Sequence, residues 1–236
     1  MPAQVRSAGR FASAVESRSA ADAARRGGDV FCTVGRANGS TAVLLADVSS
    51  KGSLALLHAE IMRRAFKRAA ALERTPSAVL GELNAIRFEI PGRSASVTFA
   101  SAIVAVLDPC LRFVRYASAG HDIGVIVHGR AHRHLVPTGP VLGVFDDAVY
   151  TDCIEPFAGA DLLVLATDGF TECRSTGDRA RQFGTSGLVR ALTARKGLSC
   201  HAAARAVAQG ADLFTGRVYV DDATVAVMAH GPRTAT

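Results

Sequence analysis

The sequence of 236 residues contains no apolar run of the roughly 18 residues that a membrane span requires. Its longest candidate, Ala158 to Ala166, is broken by Asp161. The first thirty residues alternate Arg, Ser, Ala and Glu without an apolar block, so no secretory leader is expected. Glu16 and Asp22 count against an organelle transit peptide. The cysteines (Cys32, Cys110, Cys153, Cys173 and Cys200) are odd in number, widely spaced and without a C-x-x-C pair. That excludes a disulfide framework and a cysteine-built zinc site, and it suits buried thiols in a reducing cytoplasm. Lysine is scarce, confined to Lys51, Lys67 and Lys196, so the formal charge of +6 is carried by scattered arginine. No basic stripe with interleaved aromatics and no nucleic-acid motif is present, so neither nucleic acid nor a membrane is expected as a partner.

With 49% hydrophobic and 20% charged residues, the chain is not of the disordered class. Its length suits one globular domain that needs no disulfide or metal merely to fold. Residues 1–26 are polar and weakly patterned, with a possible edge strand around Phe11–Val15. The domain proper runs over 27–229, and 230–236 form a tail. Strands are expected at Asp29–Val34 and Thr41–Ala46, joined at Ala37-Asn38-Gly39, whose Asn-Gly is a hairpin signal. Ala42, Val43, Leu44 and Leu45 are apolar on consecutive positions, which predicts a strand buried on both faces. A helix fits 52–72, with Leu54, Leu57, Ile61 and Ala65 as its core stripe, and Pro76 opens a second helix to about Phe88.

Further strands are expected at Val97–Leu107, Leu111–Ala117, Ile123–Val127, His132–Leu135, Ala148–Ile154 and Leu162–Ala166. Pro91 to Ser94 and Pro137 to Gly143 read as loops. Helices fit Thr185–Ala194 and Ser199–Phe214, and Val218–Val220 with Ala223–Ala229 form a final strand interrupted at Asp221-Asp222. Strands linked mostly by hairpins, with helices between, argue an α+β fold: two antiparallel sheets face to face, flanked by helices.

Several acidic residues end apolar strands beside Gly or Ser: Asp29, Asp47, Asp168 and the pair Asp221-Asp222. Any one of them has an ordinary explanation, because Asp caps helices and nucleates turns. Four in the same context form a pattern. If the strand ends converge, the carboxylates repel unless a cation lies among them. Oxygen ligands without His or Cys favour Mg²⁺ or Mn²⁺. A pair of such ions activates water and clamps phosphoryl oxygens, so the residues point to metal-dependent phosphoester hydrolysis.

Gly27-Gly28-Asp29-Val30-Phe31, Asp47-Val48-Ser49-Ser50-Lys51-Gly52, Ser118-Ala119-Gly120-His121, Thr167-Asp168-Gly169 and Asp221-Asp222-Ala223-Thr224 occur in one order and spacing. In this the chain resembles the SpoIIE-like branch of the PPM-type (protein phosphatase 2C-like) metal-dependent serine/threonine phosphatases. Leu83-Asn84, Leu142-Gly143 and Phe183-Gly184 agree with it. The resemblance runs from about Gly27 to Ala229.

It implies an α-β-β-α sandwich and a centre of two divalent ions, Mn²⁺ or Mg²⁺. It implies that Asp47 bridges both ions, that Val48 lends a carbonyl, and that Asp168 and Asp221 complete one shell. Asp29 would reach the metals directly or through water. Asp222 would belong to the metal set chiefly by orienting its neighbour. The implied activity is that of a cytoplasmic bacterial phosphatase acting in a partner-switching pathway such as a stress response. Its substrate would be phosphoserine or phosphothreonine on a small anti-sigma-factor antagonist of STAS-like type. No sensor module is visible, so a regulatory partner protein is expected. The helix after the Asp47 loop could carry that partner's signal.

Three positions depart from the pattern: Cys32 where a second Asp is frequent, Ser50 for a Gly, and Asp122 for a Pro. They motivate the alternative of a weak or inactive phosphatase-fold binding module. A hydrolase of a small phosphorylated metabolite would use the same residues. His121 reads either as a general acid or as a hydrogen-bonded structural residue. Lys51 is near the metal loop, and a solvated Lys is its simpler reading. His128, His132 and His134 gather around a hairpin and read as turn-exposed rather than as a zinc site. Gly27-Gly28 lacks the spacing of a nucleotide-binding loop.

Overall fold

The computed structural model describes residues 4–8, 11–22, 27–50, 52–72, 74–89, 99–108, 110, 112–194 and 197–231. The strands expected to begin at Val97 and at Leu111, the loop at Pro91 to Ser94, and Lys51 therefore have parts or all of their extent outside the described residues. The chain forms two compact units, one of Gly27–Asp122 with Val136–Phe157 and one of Met1–Arg26, Ile123–Leu135 and Ala158–Thr236.

The first unit holds a five-stranded antiparallel sheet in the order β3-β4-β5-β6-β9. Its strands are β3 (Asp29–Gly35), β4 (Thr41–Val48), β5 (Ala100–Leu107), β6 (Phe113–Ala119) and β9 (Cys153–Pro156). Two helices, α1 (Gly52–Ala71) and α2 (Pro76–Glu89), cover one face. Alternation decides which side chains meet them. Val30, Cys32, Ala42, Leu44, Ala46, Val48, Ala102 and Val104 join Met62, Phe66, Leu80 and Leu83 in one core. The intervening residues Asp29, Phe31, Val43, Leu45, Asp47, Ser101 and Ile103 therefore share the opposite face. β4 is buried on both faces, as its unbroken apolar run predicts.

The buried stripe of α1 differs from the one expected. Ala55, His58, Ala59, Met62, Ala65, Phe66, Ala69 and Ala70 are inside, whereas Leu54 is 42% and Leu57 53% exposed. Ranking positions by hydrophobicity favours leucine, but a helix lying close on a sheet is selected by size, and the alanine face allows the nearer approach. A distant carboxylate opens α2: Asp152 Oδ1 accepts from Ser77 N at 2.7 Å.

The second unit has a six-stranded antiparallel sheet in the order β1-β2-β11-β10-β7-β8. These are β1 (Gln4–Ala8), β2 (Phe11–Arg18), β7 (Gly124–His128), β8 (Ala131–Leu135), β10 (Leu162–Ala166) and β11 (Ala223–His230). The helices are α3 (Asp168–Thr171), α4 (Gly184–Thr193) and α5 (Cys200–Thr215). Ser199 caps α5, its side chain accepting from Ala202 N. The N-terminal segment departs from expectation. It supplies β2, an interior strand paired with β11 over eight positions, from Phe11↔His230 to Arg18↔Ala223. Ser13, Glu16 and Ser17 weakened its apolar signal, but Ala14 joins the unit's core and Ala12 packs against it. Val218–Val220, expected as strand, is loop. The short helix α3 after Ala166 was not anticipated, since four residues carry no periodicity.

Among the described residues no helix is long and apolar enough to cross a membrane. His128 pairs with Asp161, and His132 and His134 lie on the exposed edge strand β8.

Core truncation at Phe66 (Phe66→Ala) is expected to cost about 3–5 kcal/mol in urea unfolding. Leu57→Ala should change stability by no more than about 0.5 kcal/mol, despite removing the larger aliphatic group of the expected stripe. A pH effect follows from Asp212 on α5. Burial alone would raise its carboxyl, but the Arg18 guanidinium and the Tyr219 hydroxyl outweigh that and hold it below its ordinary value of 3.8. The folded chain then binds the proton less readily than the unfolded one. Its contribution is complete above the ordinary value and is lost as the pH falls through the folded one. Melting temperature measured from about pH 6 down to pH 3 should fall less steeply in Asp212→Asn than in the wild type.

Candidate metal centre

Register sets the first group of oxygens. Asp29 and Asp47 are direct partners across the β3–β4 ladder, and Asp47 is in turn opposite Ser101 on β5. Side chains at such positions lie on one face with Cβ atoms about 4.5–5.5 Å apart, and like charges placed so are destabilising. Asp29 opens β3 and Asp47 is the penultimate residue of β4, and both are half-buried.

Gly28 makes room beside them. A Cβ there would stand 2.8 Å from Asp47 Oδ1 and 2.8 Å from the Val48 carbonyl oxygen. A carboxylate oxygen and a backbone carbonyl thus border one small space, and Val48 N donates to Gly28 O at 3.2 Å, which holds the two segments together. Carboxylate plus carbonyl is the donor set that hard divalent cations prefer, so these residues fit Mg²⁺ or Mn²⁺.

In the other unit, Thr167 N donates to Thr224 O and Thr167 Oγ1 accepts from Thr224 N, both at 2.9 Å. That pair brings the Asp168 turn beside the Asp221-Asp222 turn. Gly169 permits the approach: a Cβ there would stand 2.0 Å from Asp222 O. Asp168 is exposed at the start of α3. Asp221 Oδ1 accepts from Asp222 N at 3.0 Å, and Asp222 Oδ1 accepts from Ala20 N at 2.8 Å. One oxygen of Asp222 is therefore engaged in holding the segment after β2. Among the described residues no group of three or more His, Cys, Asp or Glu is arranged to hold a metal ion.

His121 is buried. Its Nδ1 is 3.1 Å from Ser101 Oγ, its N–H donates to Ser118 Oγ at 3.1 Å, and the Ser118 hydroxyl donates to its carbonyl. Ser101 was missed from the sequence. Its signal is a single hydroxyl in the otherwise apolar run Ala100–Val106, and its meaning depends on the register. Cys32 faces the helices within the core rather than the Asp47 side of the sheet. Among the described residues Arg217 is the one non-glycine with positive φ, so Ser50 adopts no conformation that favours glycine.

The family model described as Stage II sporulation protein E (SpoIIE) matches residues 37–230. The chain belongs to the SpoIIE family. It is 30% identical over 135 residues to the "Phosphoserine phosphatase RsbU" of Bacillus subtilis (strain 168), a match covering 56% of this chain and 39% of that protein. The match thus spans about two fifths of that relative's length. The SiaA-PP2C domain of Pseudomonas aeruginosa superposes with a TM-score of 0.79 at 22% identity, over 92% of this chain and 85% of that one. RsbX in complex with magnesium superposes with a TM-score of 0.69 at 15% identity, over 96% and 98%. These structures share the two antiparallel sheets with flanking helices, so the PP2C-type fold expected from the motifs is the fold of this SpoIIE-family chain.

Gly28→Ala is expected to push a methyl group against Asp47 Oδ1 and the Val48 carbonyl. Mn²⁺ affinity measured by calorimetry should drop by at least about tenfold, as expected when ligand placement is disturbed.

Proposed function

We propose that the chain is a divalent-metal-dependent protein-serine/threonine phosphatase of the RsbU/SpoIIE type. Its substrate is phosphoserine or phosphothreonine on a small regulatory protein, of the anti-sigma-factor antagonist (STAS-like) kind, in a partner-switching pathway. The observation that carries this reading is the pairing of Asp29 with Asp47 beside the Val48 carbonyl. Membership of the SpoIIE family and the likeness to a phosphoserine phosphatase support it.

The residues proposed to hold two Mn²⁺ or Mg²⁺ ions are Asp29, Asp47, the Val48 carbonyl, Asp168 and Asp221, with Asp222 orienting Asp221. When bound, such ions supply positive charge to phosphoryl oxygens and lower the pKa of water. The protein's own part is placement. β3 and β4 hold two carboxylates at adjacent strand ends. Gly28 leaves room beside Asp47, and the Thr167–Thr224 pair with Gly169 holds the start of α3 against the Asp221-Asp222 turn. Of the two roles read for His121, its burial and its bonds to Ser101 and Ser118 support the anchoring one.

A second reading, a phosphatase-fold module that binds a regulator without turnover, is motivated by Cys32, which stands where the family pattern often has a second Asp and so leaves one carboxylate fewer. One experiment separates the two. With Mn²⁺ present, the protein should release phosphate from a phosphoserine-bearing antagonist protein, and Asp47→Asn and Asp168→Asn should each lower kcat by at least about a hundredfold. Equal turnover by those variants, or none by the wild type, overturns the assignment.

A further inference from the structure

The loop that carries Asp221 begins in a sterically unfavourable way. Gly216 ends α5 at φ 64°, and Arg217 follows at φ 65°, a left-handed conformation uncommon for a residue with a side chain. Such a conformation persists where its surroundings over-determine it. Here Arg217 N donates to Asp212 O at 3.0 Å and to Thr215 Oγ1 at 3.1 Å. Two residues on, the buried Tyr219 donates its hydroxyl to Asp212 Oδ1 at 2.9 Å, and its carbonyl accepts from Ala21 N at 2.9 Å. Its ring meets Phe170 edge-on, 5.9 Å between centroids. Phe170 belongs to α3, the helix that starts at Asp168.

The carboxylate that receives Tyr219 is itself clamped. Arg18, the last residue of β2, places Nε and Nη2 on the two Asp212 oxygens, each at 2.9 Å. Its Nη1 reaches Glu16 Oε2 at 3.1 Å. Side-chain exposure is 24% for Arg18, 11% for Asp212 and 9% for Glu16, so the network is largely shielded from water. Two-pronged guanidinium–carboxylate contacts fix orientation as well as charge. The loop is also fastened at its far end, where Ala20 N reaches Asp222. Arg18 and Ala20 both precede residue 37, where the match to the family model begins.

We propose that Arg18, Asp212 and Tyr219 form a positioning network for Asp221 and, through Phe170, for Asp168. This rests on the reading of those two carboxylates as metal ligands. The Tyr219 hydroxyl lies at its centre. It joins the clamped carboxylate of α5 to the loop leading into Asp221, while its ring braces α3. Ligands held before the ion arrives lose less freedom on binding it, so the network acts on metal affinity.

Calorimetric titration of Mn²⁺ into the full chain tests this, beside melting in EDTA. Tyr219→Phe keeps the ring and removes only the hydroxyl. Arg18→Lys keeps the charge and removes the fork. Both variants should bind Mn²⁺ about tenfold more weakly, the loss typical of removing a partner behind a metal ligand. Their EDTA melting temperatures should stay within about 4 °C of the wild type, a shift of about 1 kcal/mol or less. Raising Mn²⁺ should restore their kcat. Leu213→Ser, an exposed change beside Asp212, should leave affinity unchanged. Wild-type binding with Tyr219→Phe and Arg18→Lys both within twofold of it overturns the positioning role alone. Failure of the wild type to bind Mn²⁺ overturns the metal-site reading and the positioning role with it.

Discussion

Two carboxylates facing each other across a β ladder are an unfavourable arrangement in the absence of positive charge. A folding chain has easy ways to avoid it, because either residue could be exchanged for serine or threonine with no loss to the ladder. In this chain Asp29 and Asp47 stand opposite each other, with Ser101 as the next polar residue in the row. Around them the sheet face is apolar, with Phe31, Leu45 and Ile103 one step along their strands. The apolar run Ala42–Ala46 of β4 and the two helices on the far face supply the burial that lets such a row persist at the sheet's end.

The other unit solves a related problem by different means. Asp168 opens α3 just after β10 and Asp221 lies in the bend before β11, where no ladder fixes a side chain. Hydrogen bonds between Thr167 and Thr224 replace the ladder, and Gly169 removes the Cβ that would keep the turns apart. The loop before Asp221 is then tied back to α5 and to β2. Each tie contributes little to stability alone, on the order of 1 kcal/mol. Their combined effect is geometric.

Much of this was legible in the sequence. The β3–β4 hairpin showed in Asn38-Gly39, the four longer helices in their spacing and flanking residues, and the acidic strand ends in the change from apolar runs to Asp beside Gly or Ser. These are local signals, carried by a few neighbouring residues. Elements whose evidence lies elsewhere in the chain were misread. β2 looked like a polar edge because every second residue of a strand speaks for only one face, and its pairing partner is two hundred residues away. The leucines of α1 looked like core because hydrophobicity was visible and the close approach that favours alanine was not.

Sequence alone determined which residue types are available for chemistry: oxygen donors at strand ends, without cysteine or histidine beside them, in an order that marks the SpoIIE family. Only the tertiary structure decided which of them share a face, which are engaged in holding a turn, and what fastens the loop around Asp221. A residue's chemistry is a property of its own atoms. Its neighbours across a ladder are set by register and by contacts between segments far apart along the chain, and no local pattern encodes these.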